Sequence, residues 1–134
     1  MTVEYLWRGP FVDRELNLLH AEGFDHRVAD DDWSRRTGRH SLGWVTARLG
    51  GDLIGFVNLP WDGGRHVFVE DTVVADRLQR HGIGQQLVAI AVEHAREAGC
   101  EYVHVDFDDH LRAFYYDDCG FQPTNAGLIS LKAG

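Results

Sequence analysis

The segment from residue 66 to residue 107 restricts the fold more than any other part of the chain. Residues 66–74 (HVFVEDTVV) are rich in β-branched and aromatic side chains and read as a strand. Residues 84–98 then set Leu87, Val88, Ala91, Val92 and Ala95 on one apolar stripe at helical spacing, and Gly99 offers the left-handed residue that ends a helix. Residues 102–107 return to alternation, with Val103, Val105 and Phe107 on one face. Parallel strands need a crossover that a tight turn cannot supply, so strand, helix and strand in this order predict a parallel βαβ unit.

Upstream the pattern is antiparallel. Residues 43–49 and 52–59 are two strand-like runs around Gly50-Gly51, which predicts a hairpin, and residues 66–74 extend it to a meander after the turn at 60–64. A short strand at 3–7 opens the chain, and Val12, Leu16 and Leu19 share a face of a helix starting near Asp13 and stopping at Gly23. The Asp30-Asp31-Asp32 cluster can cap a short helix at Trp33. Residues 111–119 read as a last short helix and residues 121–131 as a final extended segment. The expectation is one α/β domain over residues 1–134: a mixed sheet, its antiparallel N-terminal meander joined to a parallel βαβ pair and flanked by helices.

Charge and composition exclude some partners. A net charge of −8 argues against nucleic acid, which needs a basic face. No apolar run approaches the roughly 18 residues of a membrane-spanning helix, and the N-terminus lacks the apolar core of a secretion signal, so a cytoplasmic protein is expected. Cys100 and Cys119 stand apart and beside glycines, and read as packing thiols.

Between strand and helix lies the loop that carries chemistry, Gln79-Arg80-His81-Gly82-Ile83-Gly84-Gln85. A helix start offers unpaired N–H groups and the positive end of the helix dipole, and glycine lets an anion approach the backbone. Arg77, Arg80 and His81 add positive charge to an acidic chain. The loop has neither GxxxxGK[ST] nor GxGxxG spacing, so it is not a nucleotide-hydrolysing or dinucleotide loop. It matches [Q/R]-x-x-G-x-[G/A] and thereby resembles the pyrophosphate loop of the GNAT N-acetyltransferase superfamily. Downstream, Phe114-Tyr115-Tyr116-Asp117-Asp118-Cys119-Gly120-Phe121 is similar to that family's second signature, a helix ending in a tyrosine four residues before Gly-Phe. The family's asparagine and small residue at the start of that helix are replaced by Asp109 and Arg112, and an ionised Asp109 cannot donate a hydrogen bond.

The resemblance implies acetyl-CoA as co-substrate, no metal, and a small-molecule or peptide amine that attacks the thioester directly through a tetrahedral intermediate. It allows a homodimer. It implies that Thr72, Val73 and Val74 pair with the pantetheine arm, that Gln79, Arg80, His81, Gly82, Ile83, Gly84 and Gln85 hold the pyrophosphate, and that Phe114 touches the cofactor. Tyr116 is then the acid that protonates the departing thiolate, and Glu70 the base for the amine, with Asp71 the competing carboxylate. His104, Asp106, Asp108 and His110 suggest a metal run but lack ligand spacing. The competing reading is an acyl-CoA-binding sensor module, which keeps the loop and does without Tyr116 and Glu70.

Overall fold

The computed structural model describes residues 1–133. Strand β1 (Glu4–Trp7) pairs antiparallel with β2 (Ser41–Leu49), and β2 turns through Gly50-Gly51 into β3 (Asp52–Pro60). Both glycines have positive φ, 58° and 89°, the turn backbone that follows the twist of the flanking strands. Residues Leu53 to Leu59 of β3 are all buried, so both faces of the sheet are covered. Helices α1 (Asp13–Phe24) and α2 (Trp33–His40) pack on it, as does α3 (Ile83–Glu97). Phe56 meets Trp33 of α2 at 5.9 Å between ring centroids, whereas a side chain at neighbouring Gly55 would meet Ile83 and Leu87 of α3. Successive strand residues face opposite sides, so α2 and α3 lie on opposite faces. Asp32 caps α2 by accepting the Arg35 N–H at 3.2 Å, as the aspartate cluster predicts.

Residues 66–74 do not form one strand. Strand β4 (His66–Phe68) runs parallel to β6 (Tyr102–His104), with α3 as the crossover, while β5 (Glu70–Val74) stays in the antiparallel sheet beside β3. The sheet order is β1-β2-β3-β5, with β4-β6 a separate pair. The expected mixed α/β architecture is present, with its two sheets divided within the expected third strand.

Three further expectations change. Helix α1 does not stop at Gly23 but runs to Phe24, and Asp25 takes the left-handed stop at φ 53°. Gly23 serves packing instead: a Cβ there would overlap Val73 Cγ2 of β5. The last helix is a short 3₁₀ turn at Asp109–Leu111 followed by a π-helical turn at Ala113–Asp118, closed by the Cys119 N–H on Phe114 O at 3.0 Å. Residues 121–131 form no strand; residues 122–133 have no regular secondary structure and are exposed.

Candidate active site

The site grows from the point where β4 and β5 part. The parallel ladder ends with the Val69 N–H on His104 O at 2.8 Å. Across the next residues Phe56 faces Val73 while Asn58 faces Glu70, three steps on β5 against two on β3, which is a β-bulge. Asp71 sits in the bulge at φ 58°, a left-handed conformation that costs a non-glycine residue about 1 kcal/mol or more. Its carboxylate is held by His20 Nε2 at 3.1 Å and Arg36 at 3.6 Å, one from each N-terminal helix. Beyond the bulge β5 has β3 on one side and no described strand on the other. Thr72 Oγ1 is buried near this open edge without a hydrogen-bond partner of full geometry.

The loop that follows is shaped for an anion. Arg80 and Gly82 both take left-handed backbone, φ 66° and 79°, and turns of this kind direct successive N–H groups inward. Gly82 precedes α3, and no side chain caps the helix, so its first N–H groups are free for a ligand. Arg80 and His81 are exposed beside them, whereas Ile83 is buried and offers only its backbone. Gln79 Nε2 leans on Val74 O at 3.4 Å and Asp76 at 3.2 Å. Gly84 has ordinary helical backbone, so its role is space: a Cβ there would stand 3.2 Å from Phe114 Cζ.

That contact joins the loop to the π-helical turn, and Gln85 Nε2 strengthens the join by donating to Asp118 O at 2.9 Å. A π turn widens the helix by one residue and re-aims consecutive side chains. Tyr115 turns inward, buried and stacked on Phe107 at 4.9 Å, with burial pushing its phenol above the usual range and the Thr72 hydroxyl partly offsetting this. Tyr116 remains half-buried, edge-on to Phe107 at 5.3 Å and below the Arg112 guanidinium at 5.5 Å. Arg112 also bonds Asp109 at 3.1 Å, so the two residues that depart from the family pattern satisfy each other. Tyr116 makes no hydrogen bond to Glu70 or to the loop among the described residues.

Glu70 is exposed as a residue, yet desolvation pushes its carboxyl above the usual range; Asp71 and Asp106 add to the rise and Arg36 opposes it. A carboxylate tuned upward suits a base, whereas Asp71 is already engaged by the Arg36 guanidinium and the His20 ring. The clamp on Asp71 escapes sequence reading, because His20 lies 51 residues away and no glycine or asparagine marks the bulge. His104 leaves the metal run to pair with His66 at 2.8 Å and stack on Phe68, and no metal-binding group of three or more side chains occurs among the described residues. Trp33 is core, with Nε1 on Asn17 at 3.0 Å. Burial raises the Cys119 thiol to about 11, which keeps it protonated and unreactive.

An open strand edge, next to an uncapped helix start approached through left-handed turns, fits a ligand with amide and phosphate groups. Comparisons with known proteins agree with this chemistry. A stretch of 59 residues is 46% identical to a probable glucosamine 6-phosphate N-acetyltransferase of Oryza sativa subsp. japonica; it spans 44% of this chain and 35% of that relative. A probable acetyltransferase of meticillin-resistant Staphylococcus aureus has the same fold, with a TM-score of 0.81 at 19% identity over 98% of this chain and 100% of its own. So does AAC(6')-Iy, solved in complex with the bisubstrate analogue CoA-S-monomethyl-acetylneamine, with a TM-score of 0.73 at 16% identity over 100% of both chains. The sequence profile of the Acetyltransferase (GNAT) family matches residues 5–121, most of the chain, and the chain belongs to that family.

Proposed function

We propose that this chain binds acetyl-CoA between β5 and α3 and transfers the acetyl group to a primary amine. The observation that carries the reading is the parting of β4 and β5 at the Asp71 bulge, beside an uncapped α3 start. Acetyl-CoA supplies the acyl group as an activated thioester. The open edge at Thr72, Val73 and Val74 hydrogen-bonds the pantetheine arm as an added strand. Val73 is buried, so its part is played by backbone alone. The N–H groups from Gln79 to Gln85 hold the pyrophosphate, with Arg80 adding charge, the His81 ring beside it and Phe114 lining the way. Glu70 takes the proton that the amine must lose, and Tyr116 gives one to the departing sulfur.

The acceptor approaches from the side of α1 and α2. Arg35, Arg36 and Arg39 expose three cations on α2, and Arg36 reaches Asp71. That cationic face and the rice relative's substrate make an amino sugar phosphate the first acceptor to try. The test combines binding with turnover. Acetyl-CoA at 100 times its Kd should stabilise the fold by roughly 2.7 kcal/mol, read as a rise in Tm. Gly82→Val should abolish that rise, because a β-branched residue resists φ of 79°. CoA release should then follow addition of an amine. No Tm change at millimolar acetyl-CoA would overturn the reading, and binding without CoA release over a broad amine panel would favour the sensor module.

A further inference from the structure

Behind Asp71 a chain of hydrogen bonds leads from the bulge to solvent. His20 Nε2 lies 3.1 Å from Asp71 Oδ1, His20 Nδ1 lies 2.7 Å from His26 Nε2, and His26 Nδ1 lies 2.6 Å from Arg27 O. The inner ring is only 19% exposed, and the outer one, just past the end of α1, is open to water. Phe24 and Trp33 hold the His20 ring between them, at centroid distances of 4.4 and 5.2 Å. Every nitrogen of the two rings has a partner, so turning either ring over would put carbon where nitrogen now bonds.

These contacts fix how many protons the pair must hold. A carbonyl oxygen only accepts, so His26 Nδ1 carries a proton. With one proton per ring, His26 Nε2 then accepts, and His20 Nδ1 has to donate to it. His20 Nε2 would be left turning a lone pair toward the Asp71 carboxylate. Three contacts need three protons, and two neutral rings supply two. Placed on the rings, the third makes an imidazolium that donates to a carboxylate, a charge-assisted hydrogen bond. The charged groups around it are Asp71 and its neighbour Glu70 from β5, and Arg36 from α2, which takes the other Asp71 oxygen at 3.6 Å. Glu22 of α1 turns away to accept the Asp76 N–H at 2.6 Å.

We propose that His20 and His26 are positioning residues for acetyl transfer: together they hold one proton beyond two neutral rings, and that proton fastens Asp71 and the bulge it shapes. This rests on the reading that the bulge forms part of the acetyl-CoA site. When the third proton leaves, a bare nitrogen faces Asp71 Oδ1 and Arg36 alone remains on the carboxylate. A left-handed residue such as Asp71, at φ 58°, persists only while its surroundings hold it. The bulge then loosens, and Glu70 and the edge at Thr72 lose their aim. Two substitutions remove the need for the third proton by different routes. His26→Ala frees His20 Nδ1, so a neutral His20 can keep its one proton on Nε2 and donate it to Asp71. Asp71→Asn offers an amide N–H to His20 Nε2, so two neutral rings satisfy every contact, and asparagine tolerates left-handed backbone.

Proton–nitrogen NMR spectra of the histidine rings over a pH series count these protons, and kcat over the same series reads their effect. On the acid side the parent pair should hold three ring protons. Loss of the third as pH rises should move the Asp71 backbone amide signal and lower kcat by about fivefold, the scale on which a left-handed residue must be held. That alkaline step runs opposite to the acid limb of a Glu70 base. It should be absent in both His26→Ala and Asp71→Asn, and the single His20 proton in neutral His26→Ala should sit on Nε2. A third proton that leaves with the Asp71 signal unmoved would overturn the proposal. So would a His26→Ala variant that keeps the parent's step in kcat, since an exposed ring with a merely structural part would alter Tm and leave the step in place. A parent that binds no acetyl-CoA and releases no CoA would overturn the proposed acetyl transfer instead, and the ring spectra would still decide whether the proton fastens Asp71.

Discussion

Tyr116→Phe removes one hydroxyl and keeps the ring that sits edge-on to Phe107 and under Arg112. Packing and acetyl-CoA affinity should hold, while kcat falls by about 10²-fold, the scale of a lost general acid. Steady-state kinetics beside a Tm measurement separates the two; full turnover in the variant would make Tyr116 a packing residue. Glu70 makes a pH prediction whose sign follows from its surroundings. Desolvation first, and then Asp71 and Asp106, hold its carboxyl above the ordinary value, which is about 4.3 for glutamate. A base must be ionised, so kcat/KM should fall as pH drops through that raised pKa, on an acid limb above the ordinary glutamate range. Asp106→Asn removes a like charge and should move the limb to lower pH. Glu70→Gln should lower kcat and erase the limb; an unchanged profile in Glu70→Gln would exclude it as the base.

Among the elements, α1 is fastened to the sheet at one charged joint. Arg48 of β2 donates to both Glu15 oxygens, at 3.0 and 2.7 Å, and to the Pro10 and Gly51 carbonyls. Glu15 also accepts the Val12 N–H at 2.9 Å, which starts the helix. The Arg48 hydrogen bond, aided by Val12 and opposed by desolvation, holds the Glu15 carboxyl below its usual range. Partial exposure screens the pair, so Arg48→Ala should cost about 1 kcal/mol in urea unfolding at neutral pH. A depressed pKa stabilises above the unfolded value and loses its effect as pH falls through the folded value. The difference between parent and Arg48→Ala should therefore be full at neutral pH and shrink below about pH 4.3. A difference that does not vary with pH would assign the cost to lost packing of the Arg48 stem. The joint matters to the site, because α1 carries His20, one of the two clamps on Asp71.

At the scale of the whole molecule, the site lies on a seam. One sheet of four strands and one of two share a single continuous segment, and they separate within it at Val69 to Asp71. Helix α3 bridges the seam: its start holds the loop and touches Phe114, while Ala91 and Ala95 further along are fully buried. The net charge of −8 makes the chain acidic as a whole, so Arg80 at the loop and Arg36 beside Asp71 mark local places where an anion is welcome. No described helix is long and apolar enough to cross a membrane.

Local rules made much of this legible. Of the expected stripe, Leu87, Val88, Ala91 and Ala95 are buried as their spacing requires and Val92 is partly buried; Gly82 is left-handed where the loop needs it, and Gly50-Gly51 makes the hairpin turn. Each is settled by a residue and its near neighbours in sequence. The bulge was not legible in this way. Strand alternation treats Glu70 and Asp71 as facing opposite sides, but Asp71 holds a left-handed backbone with its carboxylate gripped by His20 and Arg36 from helices far away in sequence. The same holds for the end of the chain. Residues 121–131 have the composition of a strand, but a strand exists only where a neighbour accepts its hydrogen bonds, and none lies beside them within one chain. Sequence determined the helix, the anion loop and the turn chemistry, because these depend on local backbone preference and spacing; the parting of the sheets and the fate of the last segment depend on long-range partners, and only the tertiary structure decided them.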